Sequence, residues 1–198
     1  MASIDERFTR VPLSLPLRER CLPFSCGEED LDEFFAVDFA NYTRQLFGKT
    51  YVFLDNDDPR NIACAFTVAN ASIFTNYLPN ARRKKVGHDV PHEKRDLIYP
   101  AVLIGRLSVN SKYRHQHIGS QLMDYIKAWF TDEQNKTGCR YLVVDAYNKP
   151  QPLEYYQRNG FAFMFSTEEQ EREYRKIKVD APLDTRLMFF DLINIVEQ

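Results

Sequence analysis

The spacing of apolar residues near the start of the chain predicts an amphipathic helix. Five apolar residues recur with the helical period: Leu31, Phe34, Phe35, Phe39 and Tyr42. Ser25 and Glu28 precede them with the three-residue spacing of a capping box. The helix is therefore expected over residues 28–46, in one piece or in two.

Strand-like and helix-like runs alternate through the middle of the chain. The β-branched and aromatic runs at 50–54 and Ile62–Phe74 predict the two strands of a hairpin. Residues 101–109 are apolar enough for a central strand, and residues 118–136 carry apolar positions at helical spacing before a short apolar strand at 141–146. Strand, helix and strand with short joints form a βαβ unit, so the two strands should be parallel neighbours with a right-handed crossover. The chain should end with a short helix at 152–158, a strand at 161–165, an exposed charged helix or hairpin arm at 168–178 and a strand at 187–195.

Length and composition exclude several classes of protein. The 198 residues fit one domain, and 44% hydrophobic with 14% aromatic residues exclude low-complexity disorder, collagen and coiled coil. A formal net charge of −2 removes the simplest case for nucleic-acid binding. The four cysteines are spread along the chain without a CxxC motif, so no disulfide framework is expected. The chain starts without an apolar signal-peptide core, and the apolar run at 187–196 is about half a membrane span, so a cytoplasmic protein is expected, with no membrane partner.

A charged insertion at 80–96 interrupts the pattern. It contains six basic residues: Arg82, Arg83, Lys84, Lys85, Lys94 and Arg95. Two interpretations stay open, a solvated loop between strands or a basic surface for an acidic partner. His88 and His92 are four residues apart, but Pro91 between them disfavours a helical metal pair, so no metal site is expected.

The most informative segment is the polar turn from Arg114 to Ser120, which lies between a predicted buried strand and a predicted amphipathic helix. Such a turn presents free backbone N–H groups and the positive end of the helix dipole, which together form an anion site suited to a pyrophosphate. Arg114 adds a fixed charge, and Gly119 allows close approach of a ligand. The absence of a Walker A or GxGxxG motif disfavours a nucleoside triphosphatase and a Rossmann dehydrogenase.

Residues 107–122, LSVNSKYRHQHIGSQL, resemble the acetyl-CoA-binding motif of the GNAT family of N-acetyltransferases, an Arg or Gln followed by x-x-Gly-x-Gly/Ala at the start of a long helix. His117 stands where that motif has its first glycine. The segment 155–161, YYQRNGF, matches the family's second hallmark, a tyrosine four residues before Gly-Phe. The two motifs cover residues 101–165. Less specifically, FSCG at 24–27 and LDEF at 31–34 resemble a branch of the family that includes toxin acetyltransferases.

The resemblance implies a fold and a site. The fold is an α/β fold of the α+β type, with a mixed, mostly antiparallel central sheet, one parallel βαβ step and helices on both faces, in a single domain over residues 1–198. The implied co-substrate is acetyl-CoA, without a metal, and Tyr156 is the implied general acid for the departing thiolate. The implied cofactor-binding residues are Leu107, Ser108, Val109, Arg114, His115, Gln116, His117, Ile118, Gly119, Ser120 and Asn148.

The implied reaction is transfer of acetyl to a primary amine by direct attack in a ternary complex. The partner is then an amine-bearing substrate of unidentified kind, and a homodimer is allowed. Asp145 and Glu154 are candidates for the general base by position only. Three rival hypotheses stay open: a toxin of the same fold that acetylates aminoacyl-tRNA, a non-catalytic CoA-binding module, and a protein-interaction domain without a cofactor.

Overall fold

The computed structural model describes residues 4–88, 90–91, 98–178 and 180–196. The strands in these residues form one mixed sheet, mostly antiparallel with one parallel pair, in the order β1-β2-β3-β4-β5-β7-β6. Their bounds are β1 Phe8–Pro12, β2 Lys49–Asp55, β3 Ile62–Phe74, β4 Ile98–Val109, β5 Tyr141–Tyr147, β6 Ala162–Phe163 and β7 Thr185–Asp191. The predicted fold class is confirmed, and β2 and β3 form the predicted antiparallel hairpin.

Helices surround this sheet. Their bounds are α1 Ile4–Arg7, α2 Leu15–Arg20, α3 Glu29–Glu33, α4 Phe39–Arg44, α5 Asn80–Val86, α6 Ile118–Thr131, α7 Pro150–Arg158, α8 Glu168–Arg175 and α9 Ile193–Val196. A π-helical turn at Phe34–Asp38 joins α3 to α4, so the helix predicted at 28–46 forms in pieces.

The first of two compact units takes in the chain up to Ala69 together with Ile104–Ala128. Its core is rich in aromatic rings. Phe53 on β2 meets Tyr125 on α6 edge to face, with 5.0 Å between the ring centroids. Phe8 on β1 meets Tyr113 in the same way at 5.7 Å. Burial of such rings contributes about 2–3 kcal/mol each, so they fix α6 and the segment before it against the strands.

The second unit takes in Asn70–Leu103 together with the chain from Trp129 onward. Tyr141, Phe165 and Phe189 are buried in its core. The Tyr141 hydroxyl donates to the carbonyl of Val86, 2.5 Å away, and so fixes the end of α5 to β5. The single domain expected over residues 1–198 stays a prediction.

Parts of the chain differ from the sequence-based expectation. Residues 80–86 of the charged insertion form the helix α5 rather than a loop, while 89 and 92–97 lie outside the described residues. The helix begins after Pro79, whose carbonyl accepts from the amides of Arg82 and Arg83. β1 and the short helices α1 and α2 have no counterpart in the prediction, since each is too short to show a period.

Candidate active site

The loop between β4 and α6 is held by the start of β3 and the turn before it, within the first unit. The amide of Asn110 donates to the carbonyl of Ala63, and its side-chain nitrogen donates to the carbonyl of Ile62, both at 2.9 Å. The Lys112 ammonium donates to Oδ1 of Asn61 at 2.9 Å. These bonds fix the point at which the chain leaves β4.

A buried tyrosine fixes the middle of the same loop. The Tyr113 hydroxyl donates to the Asp55 carboxylate at 2.7 Å, and both residues are buried. Burial, together with that hydrogen bond, raises the pKa of Tyr113 well above its ordinary value, so the hydroxyl stays a donor. Arg7 donates to Oε1 of Gln116 at 2.7 Å and lies 5.4 Å from the Tyr113 ring centroid. The sequence pattern gave no indication of Arg7 or Asp55, because both are remote from the motif in the chain.

The tip of the loop carries backbone donors. His115, Gln116 and His117 are exposed, and within the described part of the chain their amide N–H groups form no hydrogen bond to the protein. His115 and His117 have φ angles of 61° and 59°, in the left-handed region that favours glycine. His117 therefore supplies the backbone conformation that the family motif obtains from glycine.

Arg114 is partly engaged by the protein. Its Nη2 donates to the carbonyl of Cys26 in a short hydrogen bond, and the amide of Ser111 donates to the carbonyl of Ser25 at 2.8 Å. The loop is thus connected to the segment that precedes α3. Because a guanidinium has five N–H donors, Arg114 retains others for an anion.

The end of β4 leads into this loop. Leu107 and Val109 are half-buried and Ser108 is buried. The Ser108 hydroxyl lies beside the Cys26 thiol and otherwise has no hydrogen-bond partner among the described residues. A buried polar atom of this kind is uncommon and indicates a place where a polar ligand could be accommodated.

Tyr156 lies on α7 in the second unit. Its ring packs against Phe161 at 5.4 Å and against Tyr155 at 5.1 Å between centroids. Burial raises its pKa well above the ordinary value of a tyrosine. Gly160 ends this segment with a φ of 81°, and a Cβ there would lie 2.9 Å from the ring of Phe190. Only glycine satisfies both conditions, which explains the Gly-Phe of the motif in physical terms.

Other predicted site residues have protein partners in the second unit. The side-chain nitrogen of Asn148 donates to Oε1 of Glu168 at 3.0 Å and to the carbonyl of Leu183 at 2.9 Å. Both oxygens of Asp145 accept from Arg175, at 2.6 and 3.1 Å. Glu154 pairs with Arg158 at 3.0 Å. Each carboxylate proposed by position as a base is thus already bound by an arginine.

The helix α5 carries four basic side chains, of which two are hydrogen-bonded to backbone carbonyls and two are exposed without an ion pair among the described residues. Arg82 donates to the carbonyl of Met164 and Arg83 to the carbonyl of Thr75, both at 3.0 Å. Lys84 and Lys85 are exposed and form no ion pair with any described residue. Two exposed aromatic rings lie on the adjacent segment, with 6.4 Å between their centroids: Phe74 and Tyr77.

A metal site would require several ligating side chains close together. The described ranges contain no group of three or more His, Cys, Asp or Glu side chains arranged to hold a metal ion. No helix within those ranges has both the length and the apolar character needed to cross a bilayer. Burial raises the pKa of the Cys139 thiol to about 11, so it is not an activated nucleophile.

Comparison with known proteins agrees with this geometry. The family model described as acetyltransferase (GNAT) domain matches residues 50–162. The solved structure of AtaT complexed with acetyl-methionyl-tRNAfMet is similar in fold, with a TM-score of 0.65 and 18% identity over 96% of this chain and 98% of that one. AtaTR bound with AcCoA gives 0.63 and 18% over 97% and 98%. A KacTA–DNA complex gives 0.60 and 15% over 96% and 97%.

The mixed sheet is that of the acetyltransferase fold, and the loop with free amides between β4 and α6 is the candidate site within it. The family match includes this loop and extends over more than half of the chain. The chain belongs to the GNAT family, and it is an N-acetyltransferase with acetyl-CoA as its co-substrate.

Proposed function

We propose that the protein transfers an acetyl group from acetyl-CoA directly to a primary amine in a ternary complex. The observation that carries this proposal is the set of three amides at His115, Gln116 and His117, which no described residue accepts from. Amides of this kind before a helix bind phosphate oxygens, and α6, with 14 residues, adds its dipole.

The donor set fits the co-substrate. Residues 114–120 would hold the diphosphate, with the remaining donors of Arg114 adding charge. The backbone of Leu107 and Val109 would pair with the pantetheine arm as an added strand, and the buried hydroxyl of Ser108, beside the Cys26 thiol, lies between them in the chain. Asn148 is proposed as a further contact through its carboxamide oxygen, since its nitrogen is already bound. When bound, acetyl-CoA supplies an activated thioester carbonyl.

Tyr156 is proposed as the general acid. Its phenol is protonated at neutral pH, because the ordinary tyrosine pKa of about 10 lies well above 7 and burial raises it further. The proton would go to the leaving thiolate, whose parent thiol has a pKa of about 8.5. Proton donation of this kind contributes about 10²–10⁴-fold to a rate.

The hydrogen-bond partners of the candidate bases indicate which kind of amine accepts the acetyl group. An amine attacks only when neutral, and near neutral pH about one lysine amine in a thousand is neutral, because its pKa is about 10.4. An α-amino group, with a pKa of about 7.7–8.0, is substantially neutral without a base. Since both oxygens of Asp145 are bound by Arg175, this supports an α-amino acceptor that needs no base there.

The test is release of CoA from acetyl-CoA with a panel of amines, for the wild type, Tyr156→Phe and the matched control Tyr155→Phe. We expect Tyr156→Phe to lower kcat about 100-fold with unchanged acetyl-CoA affinity, and Tyr155→Phe to change little. Equal rates in both variants would remove Tyr156 from the mechanism. Acetyl-CoA binding without CoA release for any amine would favour a non-catalytic module, and no binding would favour an interaction domain.

A second candidate function narrows the acceptor to aminoacyl-tRNA, whose reactive group is an α-amine. It is favoured by the exposed Lys84 and Lys85 on α5 and by the exposed rings of Phe74 and Tyr77 in the segment before that helix, since lysines bind phosphates and aromatic faces stack on bases. It is also supported by the similarity in fold to AtaT, which was solved in complex with acetyl-methionyl-tRNAfMet. The discriminating measurement is acetylation of charged tRNA compared with the free amino acid. Equal kcat/KM for the two acceptors would reject a role for tRNA.

A further inference from the structure

The turn that precedes α3 is held by one carboxylate. Oδ2 of Asp32 accepts from the Ser25 hydroxyl and Oδ1 accepts from the amide of Cys26, each at 2.6 Å. Partial burial acts to raise the pKa of Asp32, but the hydrogen bonds from Ser25, Cys26 and Gly27 keep that pKa below its ordinary value. The carboxylate is therefore ionised at neutral pH and fixes the conformation of residues 25–27.

The same turn binds the loop between β4 and α6 through its carbonyls. The carbonyl of Ser25 accepts from the amide of Ser111, and that of Cys26 accepts from Arg114. Gly27 has a φ of 85°, and a Cβ there would lie 3.0 Å from Nη2 of Arg114. The absence of a side chain at Gly27 thus allows the guanidinium to reach the turn.

We infer that Asp32 is a positioning residue for the diphosphate-binding loop and acts through the turn at 25–27. The inference rests on the proposed function for the role of the loop. Two hydrogen bonds in series connect Asp32 to Ser111 and to Arg114, and all these residues belong to the first unit. If the carboxylate is removed, the carbonyls of Ser25 and Cys26 are no longer fixed, and the amides at 115–117 lose their common geometry. Displacement of binding groups by about 1 Å costs affinity steeply.

The test compares Asp32→Ala, the conservative Asp32→Asn and the control Glu29→Ala. Glu29 carries the same charge in the same first turn of α3, is exposed, and forms no side-chain hydrogen bond or ion pair with the described residues. The readouts are the Kd for acetyl-CoA by calorimetry and hydrogen exchange of residues 111–120 in the ligand-free protein. Ser25→Ala is a milder variant that removes only one hydrogen bond, for use if Asp32→Ala does not fold.

We expect Asp32→Ala to raise the Kd about tenfold and to speed exchange of the loop. Asp32→Asn should largely restore both, because its oxygen can accept from Cys26 and its nitrogen can donate to Ser25. Ser25→Ala should have a smaller effect in the same direction. An unchanged Kd, or unchanged loop exchange, in Asp32→Ala and Ser25→Ala overturns the inference. A wild type that binds no acetyl-CoA overturns the proposed function instead, and exchange still decides whether Asp32 orders the loop.

Discussion

Two histidines at the tip of the β4–α6 loop adopt a backbone conformation that costs free energy. A side chain with a Cβ in the left-handed region is less stable than glycine by about 1–2 kcal/mol, since Cβ crowds the following carbonyl. The structure keeps this conformation at His115 and His117 because Tyr113 and Asn110 fix the chain on the preceding side. The loop is thus held in shape by its anchors rather than by its own conformational preference.

We therefore predict that His117→Gly stabilises the protein. Relief of the left-handed strain exceeds the entropy that glycine adds to the unfolded chain, and the net gain should reach about 1 kcal/mol. Urea denaturation of the wild type and of His117→Gly measures the change. Gln116→Gly is the control, since Gln116 is not left-handed and contacts Arg7, so its replacement should destabilise. Destabilisation by His117→Gly would contradict the prediction.

The burial of Tyr156 predicts how kcat/KM depends on pH. Burial raises its pKa, and under the proposal that Tyr156 is the general acid its protonated form is the active one, so activity is retained below that pKa and falls only as pH rises through it. We predict that kcat/KM for an amine rises with pH as the amine deprotonates and shows no descending limb below about pH 10, the ordinary value for tyrosine. Initial rates from neutral to alkaline pH test this. A descending limb centred near pH 8 would exclude a buried phenol as the acid.

At the scale of single elements, α8 is attached to β7 by a buried carboxylate. Glu171 is fully buried. Its Oε1 accepts from the amide of Leu187 at 2.6 Å, at a position of β7 next to those that pair with β6. Its Oε2 accepts from Arg186 at 2.7 Å, and Arg175 donates to Oε1 at 2.8 Å. The carboxylate thus accepts the hydrogen bond that a neighbouring strand would otherwise accept from Leu187. It also neutralises the charges of Arg175 and Arg186.

Removal of the Glu171 carboxylate should lower the free energy of unfolding. Glu171→Ala leaves Arg186 and the amide of Leu187 without their acceptor in a buried place, and such a change costs about 3–5 kcal/mol. The free energy of unfolding from chemical denaturation provides the measurement. Glu173→Ala is matched, since Glu173 is exposed on the same helix and has no side-chain partner among the described residues. Similar stabilities of the two variants would show that the network contributes little.

The sequence pattern predicted the elements that have a clear period. It failed where single side chains decide where a helix ends or which of its faces is buried. The β2–β3 hairpin follows from continuous β-branched and aromatic runs. Helix α6 was expected to reach residue 136 but ends at Thr131. Asp132 accepts from the amide of Gln134, and Asn135 donates to the carbonyl of Trp129, so these side chains compete with helical hydrogen bonds. Likewise α8 has charge on all sides, and nothing local indicates that Glu171 is buried.

For the candidate site, the two motifs indicate the loop and Tyr156, because their residues are close together in the chain, and the roles of these residues stay predictions. The supporting residues could not be found this way. Asp32 and Asp55 are ordinary acidic residues in sequence, and their roles depend on long-range hydrogen bonds that only the folded chain defines. The weaker resemblance at 24–27 and 31–34 includes Gly27 and Asp32, but it does not indicate that this segment contacts the loop between β4 and α6.

At the scale of the whole molecule, charge is unevenly distributed along the chain. The net charge is −2, yet no acidic residue occurs between Asp58 and Asp89, a stretch that includes all of α5. A locally basic surface can therefore exist on a weakly acidic protein, and local charge rather than net charge governs binding to a polyanion.

Under the aminoacyl-tRNA hypothesis, this distribution predicts a salt dependence. The logarithm of kcat/KM for charged tRNA should fall linearly with the logarithm of salt concentration, and Lys84→Glu with Lys85→Glu should reduce the slope by about 1 for each phosphate that is no longer neutralised. Lys136→Glu with Lys178→Glu makes the same change in net charge at other exposed positions and is the control. Equal slopes for the two double variants would place the tRNA elsewhere.

Each compact unit combines two stretches of chain that are distant in sequence, and this has a consequence for synthesis. The first unit requires Ile104–Ala128, so it cannot be completed until Ala128 has left the ribosome. By then the whole of Asn70–Leu103, which belongs to the second unit, is already outside the exit tunnel without its own partners. Successive domains commonly fold one after the other as they are synthesised. Here the first unit can complete its fold only after part of the second unit has already been synthesised.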